Sequence, residues 1–417
     1  MKKVRDLVGQ FFRERIFCGL DIGSQKIKAS LCKVQDAENF ELLGVYEVDT
    51  RGFKDASVND LGEFSGAISA ALDGLARKTK TGSRFRDVYL GLGGELVETR
   101  MSRAVIPLTE RGNKVIVPSD VKAARQQARL LGMRLEEDVV EDFVRQFKID
   151  DINVALNPVG LYGRKLEVEV LLVLINNTRL RNIQKAVKQA GYEVNKVFFN
   201  GAALSEASIG HQRRNDGCVL VDVGARKTEI YIFKEGLLKH FNFALFGGDR
   251  ITARLAKELK ISFALAEDIK KSYGRLGDKT QHGAEDIIIK KDQGFIPIRH
   301  AAIRGPIDEE VGVLIEHIRD SIAASGYEGQ IRSGIVMAGG GALMPGLMEH
   351  VEISLGLPVT AARSIPGLVP ALLYAVSTSI AEMGYKGSMR YVFDTRKPKD
   401  WWDALVSRFR EMCNEYF

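Results

Sequence analysis

The sequence predicts an α/β protein with a faint internal duplication and a separately patterned segment in its first half. Three observations carry this. Two apolar strands each end in an Asp-x-Gly turn, at Asp21 and Asp222, about half a chain apart in a total of 417 residues. A third apolar run, Ile331 to Met337, leads into Ala338-Gly-Gly-Gly-Ala342. Between the first two turns, the stretch from Glu98 to Asn177 keeps a pattern of its own. At roughly 150 residues per domain, a chain of this length holds two or three.

Taken in order, Ile16-Phe-Cys-Gly-Leu-Asp-Ile-Gly-Ser24 is an apolar run ending in a turn. Lys26 to Leu31 then alternates again, so the pair reads as a hairpin bent at Gly23. Phe85 to Gly94 is another strand running into glycines. Lys114 to Val117 reads as a strand and Ser119 to Leu131 as a helix. Ser119 is its N-cap, with Val121, Ala124, Ala128 and Leu131 at helical spacing. Lys165 to Ile175 is a strand, and Arg179 to Gly191 a helix closed by glycine. Strand Lys196 to Phe199 and helix Ala202 to Ile209 follow. His211 to Gly217 is polar and reads as a linker or turn. Cys218 to Lys234 then repeats strand, Asp-x-Gly turn, strand. Gly367 to Ala381 reads as a buried helix. Tyr385 to Lys399 turns polar and basic, as a tether does, and Trp401 to Phe417 resumes a helical period.

Hydrophobic residues make up 45% and charged residues 27%, which supports a large core and excludes wholesale disorder. The net charge of +6 falls short of a dedicated nucleic-acid binder, so no nucleic-acid partner is expected. Cys18, Cys32, Cys218 and Cys413 are widely spaced, with no C-x-x-C pair, which argues against zinc and a disulfide framework and fits a reducing cytosol. Val168 to Ile175 is too short to span a bilayer and contains Glu169. Polar residues Gln10, Arg13, Glu14 and Arg15 interrupt the N-terminal apolar run, which argues against a signal peptide.

Three glycine turns follow strands: Asp21-Ile-Gly-Ser-Gln-Lys26, Asp222-Val-Gly-Ala-Arg-Lys-Thr228 and Gly339-Gly-Gly-Ala-Leu343. Small residues let backbone N–H groups approach phosphate oxygens. None is a Walker or Rossmann sequence, and each alone fits a tight structural turn as well as a ligand site. Together they are more specific. Two Asp-x-Gly hairpins can face one another and clamp phosphates from both sides. Their aspartates can then hold hydrated Mg²⁺, an ion that keeps several waters and few protein carboxylates.

In this order the turns resemble the two phosphate motifs and the adenosine motif of the actin-like ATPase superfamily. Within it the chain resembles the FtsA family of bacterial cell-division proteins, over roughly Phe17 to Gly384 plus the tail. Asn157-Pro-Val-Gly-Leu-Tyr-Gly-Arg-Lys-Leu-Glu167 resembles the family's DPxGMxGxRLE signature. Phe246-Gly-Gly-Asp-Arg-Ile-Thr252 is also family-like, and Ala266-Glu-Asp-Ile-Lys-Lys-Ser-Tyr-Gly274 resembles its AExxKxxYG helix.

The resemblance implies an actin-like (ribonuclease H-like) duplicated α/β fold with an inserted small α+β module. Residues 1–16 read as an N-terminal amphipathic extension, which is longer than the resemblance leads one to expect. The first large subdomain would comprise 17–97, 179–215 and a last helix at 361–384, and the module 98–178. The second would comprise 216–246 and 309–360, with 247–308 inserted as a subdomain that caps the nucleotide and receives the FtsZ C-terminal peptide. A linker, 385–399, would lead to a membrane-targeting helix, 400–417.

ATP with Mg²⁺ is the implied ligand. Its contacts would be Asp21, Gly23, Ser24, Gln25 and Lys26 in the first turn, and Asp222, Gly224, Ala225, Arg226, Lys227 and Thr228 in the second. Gly339, Gly340, Gly341 and Leu343 would serve the adenosine, with Gly248. Glu267 and Lys270 would approach ribose and adenine; read without the resemblance, they are an i,i+3 surface ion pair. Asp21 and Asp222 would hold Mg²⁺ through water.

The chain also departs from the family. Arg226 and Lys227 stand where further Gly and Thr are usual. Either they pair directly with phosphates or they point to solvent. Asn200-Gly201 replaces a common Glu-Pro, which leaves no general base there, and Glu206 is a helix-surface residue. No catalytic residue is assigned, and at most slow hydrolysis is expected. In the module, Glu141, Val144 and Arg145 replace the family's His and Pro-Gln.

Both ends are amphipathic. Trp402, Leu405, Val406, Phe409, Met412, Cys413 and Tyr416 form one apolar face. Trp401 and Trp402 are suited to a water–lipid boundary, and Phe417 closes the segment. Docking on the protein's own body is the alternative. At the other end Val4, Leu7, Val8, Phe11 and Phe12 make a basic amphipathic stripe, for a membrane surface or for packing on the body or a neighbouring subunit. The reading is an ATP-binding protein that forms filaments on the inner face of the cytoplasmic membrane at the division site. It would tether FtsZ there and recruit later division proteins. A PilM-like organiser of a type IV pilus platform and a small-molecule kinase of the same superfold are the alternatives.

Overall fold

Both Asp-x-Gly turns form antiparallel hairpins with identical register. Arg15–Ile22 pairs with Lys26–Val34, placing Asp21 opposite Lys28 and Ile22 opposite Ile27. Cys218–Val223 pairs with Thr228–Lys234, placing Asp222 opposite Glu229 and Val223 opposite Thr228. The structure is a computed structural model describing residues 15–34, 40–82, 85–109, 112–277, 286–291, 294–362 and 371–394. The amphipathic stripes expected at 1–14 and 400–417, including Trp401, Trp402, Leu405, Val406, Phe409, Met412, Tyr416 and Phe417, lie outside the described residues.

Each hairpin anchors a five-stranded sheet. In the first, Phe40–Asp49 lies antiparallel on Lys26–Val34, while Asp87–Leu92 and then Glu193–Phe199 add in parallel beyond Arg15–Ile22. In the second, Leu237–Ala244 lies antiparallel on Thr228–Lys234, while Ile335–Ala338 and then Val359–Ala361 add in parallel beyond Cys218–Val223. The duplication is therefore complete in topology: three antiparallel strands, then two parallel ones. Parallel additions need crossovers, which helices supply.

Helix Leu61–Lys78 covers the first sheet. Asp60 caps it by accepting the Glu63 amide at 2.8 Å, and Arg77 and Lys78 suit the dipole at its end. Phe64, Ile68, Ala71, Leu72 and Leu75, at i,i+3/i+4 spacing, are fully buried. The helix Ala375–Asp394 packs on the same sheet, and Ser377 shares a buried hydroxyl hydrogen bond of 2.6 Å with Ser30. It runs through 385–394, the first part of the expected tether. Tyr385 is buried edge-on against Phe17, and Lys386 pairs with Glu382, so the start of this segment is held on the body.

The inserted segment folds on a four-stranded antiparallel sheet ordered Asn153–Ala155, Glu137–Ile149, Lys165–Asn176, Val97–Pro107, with helix Pro118–Gly132 on one face. Lys165–Asn176 is buried on both faces. Leu166, Val168, Val170, Leu172 and Leu174 face the module's own core, while Leu171, Val173 and Ile175 join the core of the body. That explains its unbroken apolar run. The helix starts at Pro118 rather than Ser119. Its cap is Val117, whose amide donates to Asp120 at 3.0 Å, because proline favours the first helical position. His211–Asp216 is a short helix rather than a linker, and Arg214 pairs with Glu206 at 2.7 Å.

Candidate functional site

The turns face one cavity of about 460 Å³ between the two sheets. The Gly23 amide donates to the Lys26 carbonyl at 3.0 Å, and the Gly224 amide donates to the Lys227 carbonyl at 2.9 Å, so the hairpins close alike. Gly339 has φ of 84°, and a Cβ there would stand 2.3 Å from Asp222 Oδ1, so only glycine fits beside the second hairpin. Gly340 differs: a Cβ would meet only Leu373 Cδ1, at 3.2 Å, and its position lines the cavity.

One wall is the N-terminus of helix Gly248–Leu259. The Gly248 amide donates to the Gly224 carbonyl at 3.0 Å and the Asp249 amide to the Ala225 carbonyl at 2.7 Å, seating the helix on the second turn. Glu267 and Lys270, from helix Phe263–Tyr273, pair at 2.6 Å. Lys270 also donates to the Gly248 carbonyl and Thr252 Oγ1, each at 2.9 Å, and Thr252 donates to Glu267. This is a largely buried network in the cavity wall, not a surface pair. Gln25 reaches across the cleft and donates to Asp249 Oδ1 at 2.5 Å.

The floor is charged. Asp21, Lys28, Asn200, Asp222, Lys227 and Glu229 all line it. Burial raises Asp21 above the ordinary carboxylate range; Lys28 and Lys227 oppose that. Burial, helped by the charges of Glu229 and Asp21, pushes Asp222 up to about 7. Glu229 is 3% exposed and accepts from the Tyr231 hydroxyl at 2.5 Å. Tyr231 stacks with Phe241, and both meet Phe199 edge-on, joining the halves beneath the cleft. A Cβ on Gly201 would lie 2.0 Å from the Tyr231 ring, which accounts for glycine beside Asn200.

Asp21, Gly23, Ser24, Gln25, Lys26, Asp222, Gly224, Ala225, Lys227, Gly248, Glu267, Lys270, Gly339, Gly340, Gly341 and Leu343 all line the cavity. Two expected contacts do not. Arg226 turns away to Asp55, at 3.3 Å, and Thr228 is buried with its hydroxyl on the Phe246 carbonyl at 2.8 Å. Lys26, although at the cavity, is held by Asp49 at 2.8 Å. Lys28, Glu229 and Asp249 were missed. The signal for the first two was available: each sits directly opposite a turn aspartate in its hairpin. Among the described residues no three His, Cys, Asp or Glu side chains converge closely enough to ligate a metal.

The model for cell division protein FtsA matches residues 219–379, and the model for the SHS2 domain inserted in FtsA matches residues 94–174. The chain is 27% identical over 375 residues to cell division protein FtsA of Streptococcus pneumoniae, covering 88% of this chain and 80% of that one. It is 25% identical over 364 residues to the Escherichia coli K12 protein of the same name, covering 83% and 84%. Among solved structures, a PilM–PilN type IV pilus biogenesis complex matches with a TM-score of 0.64 at 15% identity, over 88% of this chain and 98% of that one. MreB 5 of Spiroplasma citri bound to AMPPNP matches with a TM-score of 0.55 at 13% identity, over 92% and 99%. The structural likenesses show an actin-like fold. Since models of one family match both the body and the inserted module, the chain belongs to the FtsA family of cell-division proteins.

Proposed function

We propose that this chain binds ATP in the cleft between its duplicated halves, and that the bound form assembles into filaments that tether FtsZ to the inner face of the cytoplasmic membrane. The observation that carries the nucleotide part is the cavity itself: three glycine turns converge on it, and Gly340 lines it with only the tip of the Leu373 side chain close to where a Cβ would stand. The residues fit a nucleotide. Backbone N–H groups of both hairpin turns supply the phosphate cradle, and Leu343, Met344 and Leu373 supply apolar surface beside the third turn. The hydrated Mg²⁺ expected between Asp21 and Asp222 would share this floor with Lys28 and Lys227, which line the same cavity and whose charges already act on both carboxylates.

Assembly rests on family membership and on the module. Its far edge exposes Ile152, Val154, Leu156, Leu161 and Tyr162, an apolar set suited to protein contacts. Among the described residues no helix is long and apolar enough to cross a membrane, so attachment falls to the amphipathic ends. Weak single helices become firm anchors once filaments array them. FtsZ and later division proteins are the partners that this reading implies. The pilus alternative rests on fold alone.

The test is Gly340→Arg. Its Cβ crowds only the end of the Leu373 side chain, at 3.2 Å, which can shift by a few tenths of an ångström, so the fold should survive while the guanidinium fills the cavity. Fluorescent ATP should lose at least about tenfold in affinity. Wild-type affinity in the variant would remove ATP from this cleft.

A further inference from the structure

The cleft floor holds three carboxylates and two ammonium groups, and the arrangement has the marks of a built-in counter-charge. Lys28 lies opposite Asp21 in the hairpin, and its charge acts on both Asp21 and Asp222. Lys227 crosses the cleft. Its Nζ is 3.4 Å from Glu229 Oε1 and donates to the Gly93 carbonyl, on the opposite half, at 3.3 Å. Its charge also reaches both aspartates. Glu229 Oε1 is buried and makes no hydrogen bond, so Lys227 is its ionic compensation. A divalent ion entering here would meet two ammonium groups that already compensate these carboxylates, and like-charge repulsion opposes its entry.

We propose that Lys28 and Lys227 take the place of a divalent cation in this cleft, so that it accepts a nucleoside polyphosphate without bound metal. Two ammonium groups bring the two positive charges of such an ion. An ammonium also carries three donors and binds phosphate as a point charge. The proposal rests on the nucleotide reading above for its ligand, and on the lysine geometry for its mechanism.

Two titrations of the full chain test it. In the first, a fluorescent ATP analogue is titrated in excess Mg²⁺ and in excess EDTA. The wild type should show dissociation constants within about threefold of each other. Lys227→Thr should bind at least about tenfold more tightly with Mg²⁺ than with EDTA. A wild-type loss of about tenfold or more in EDTA overturns the proposal. In the second, Mn²⁺ alone is titrated into nucleotide-free protein and followed by electron paramagnetic resonance. A site gained by Lys227→Ala and absent from the wild type supports the proposal. A site in the wild type, or none in either, overturns it. Lys28→Met is read in parallel, with circular dichroism verifying that each variant folds. No nucleotide binding in either buffer would overturn the ATP reading and with it the polyphosphate part of this proposal, while the Mn²⁺ titration still decides whether the lysines occupy the cation's place.

Discussion

Glu141 should make the joint between the module and the body sensitive to pH. It sits on strand Glu137–Ile149, opposite Val173, against Phe199 of the body. The residue is half-buried, but its Oε2 is fully buried and has no hydrogen-bond partner. Burial pushes its carboxyl from 4.5 up to about 7; a backbone hydrogen bond from Phe199 and the charge of Lys196 oppose this, and Asp142 adds to it. The folded state therefore holds a proton that the unfolded state releases at about pH 4.5. Stability from this group is fully present below that value and is lost as pH rises through about 7. The full shift corresponds to about 3 kcal/mol; partial contact with solvent brings the expected loss nearer about 2 kcal/mol. Glu141→Gln removes the charge and leaves a neutral buried donor, much as the protonated acid does, so the comparison isolates ionisation. Urea unfolding of both proteins should show the variant about 2 kcal/mol more stable near pH 8 and nearly equal near pH 5. The same difference at both pH values would refute the reasoning.

Arg226→Ala should cost less than about 1 kcal/mol and leave ATP affinity within about twofold, because its partner Asp55 is exposed and screened. A loss of tenfold in titration would return Arg226 to the phosphates. At the C-terminal stripe, burying an apolar side chain in lipid would be worth about 1.5–3 kcal/mol in full, and an interfacial helix would realise part of that. Removal of 400–417, or Trp402→Glu, should release the protein from liposomes in a pelleting assay. Normal pelleting after that deletion would move the anchor to the N-terminal stripe of Val4, Leu7, Val8, Phe11 and Phe12.

The hairpins and the Lys165–Asn176 strand were legible because each is a continuous apolar run bounded by turn residues. Strand Glu137–Ile149 was not, since acidic residues break its alternation: Glu137, Asp138, Glu141 and Asp142. Tertiary pairing makes the strand possible. Arg100 binds Glu137 at 2.7 Å and holds its carboxyl down to about 2, while Arg125 binds Asp142 at 2.9 Å. Neither arginine is a sequence neighbour of its acid, so no local window shows the compensation. The membrane reading depends on sequence alone, because both stripes lie outside the described residues.

The charged floor follows from duplication with one sign reversed. Equivalent positions opposite the two turn aspartates carry Lys28 in one half and Glu229 in the other. Two lysines would leave the second half without an acid beneath its turn, and two glutamates would add a fourth carboxylate to a cluster that burial already strains. With one of each, the halves are complementary, and Lys227 spans them by reaching from the Glu229 side to the Gly93 carbonyl. The Gln25–Asp249 and Arg226–Asp55 contacts cross the same gap higher up. The cleft is therefore held together partly by its own polar side chains. A nucleotide must exchange some of those contacts for phosphate, and the energy difference between the two sets governs how far binding shifts the halves.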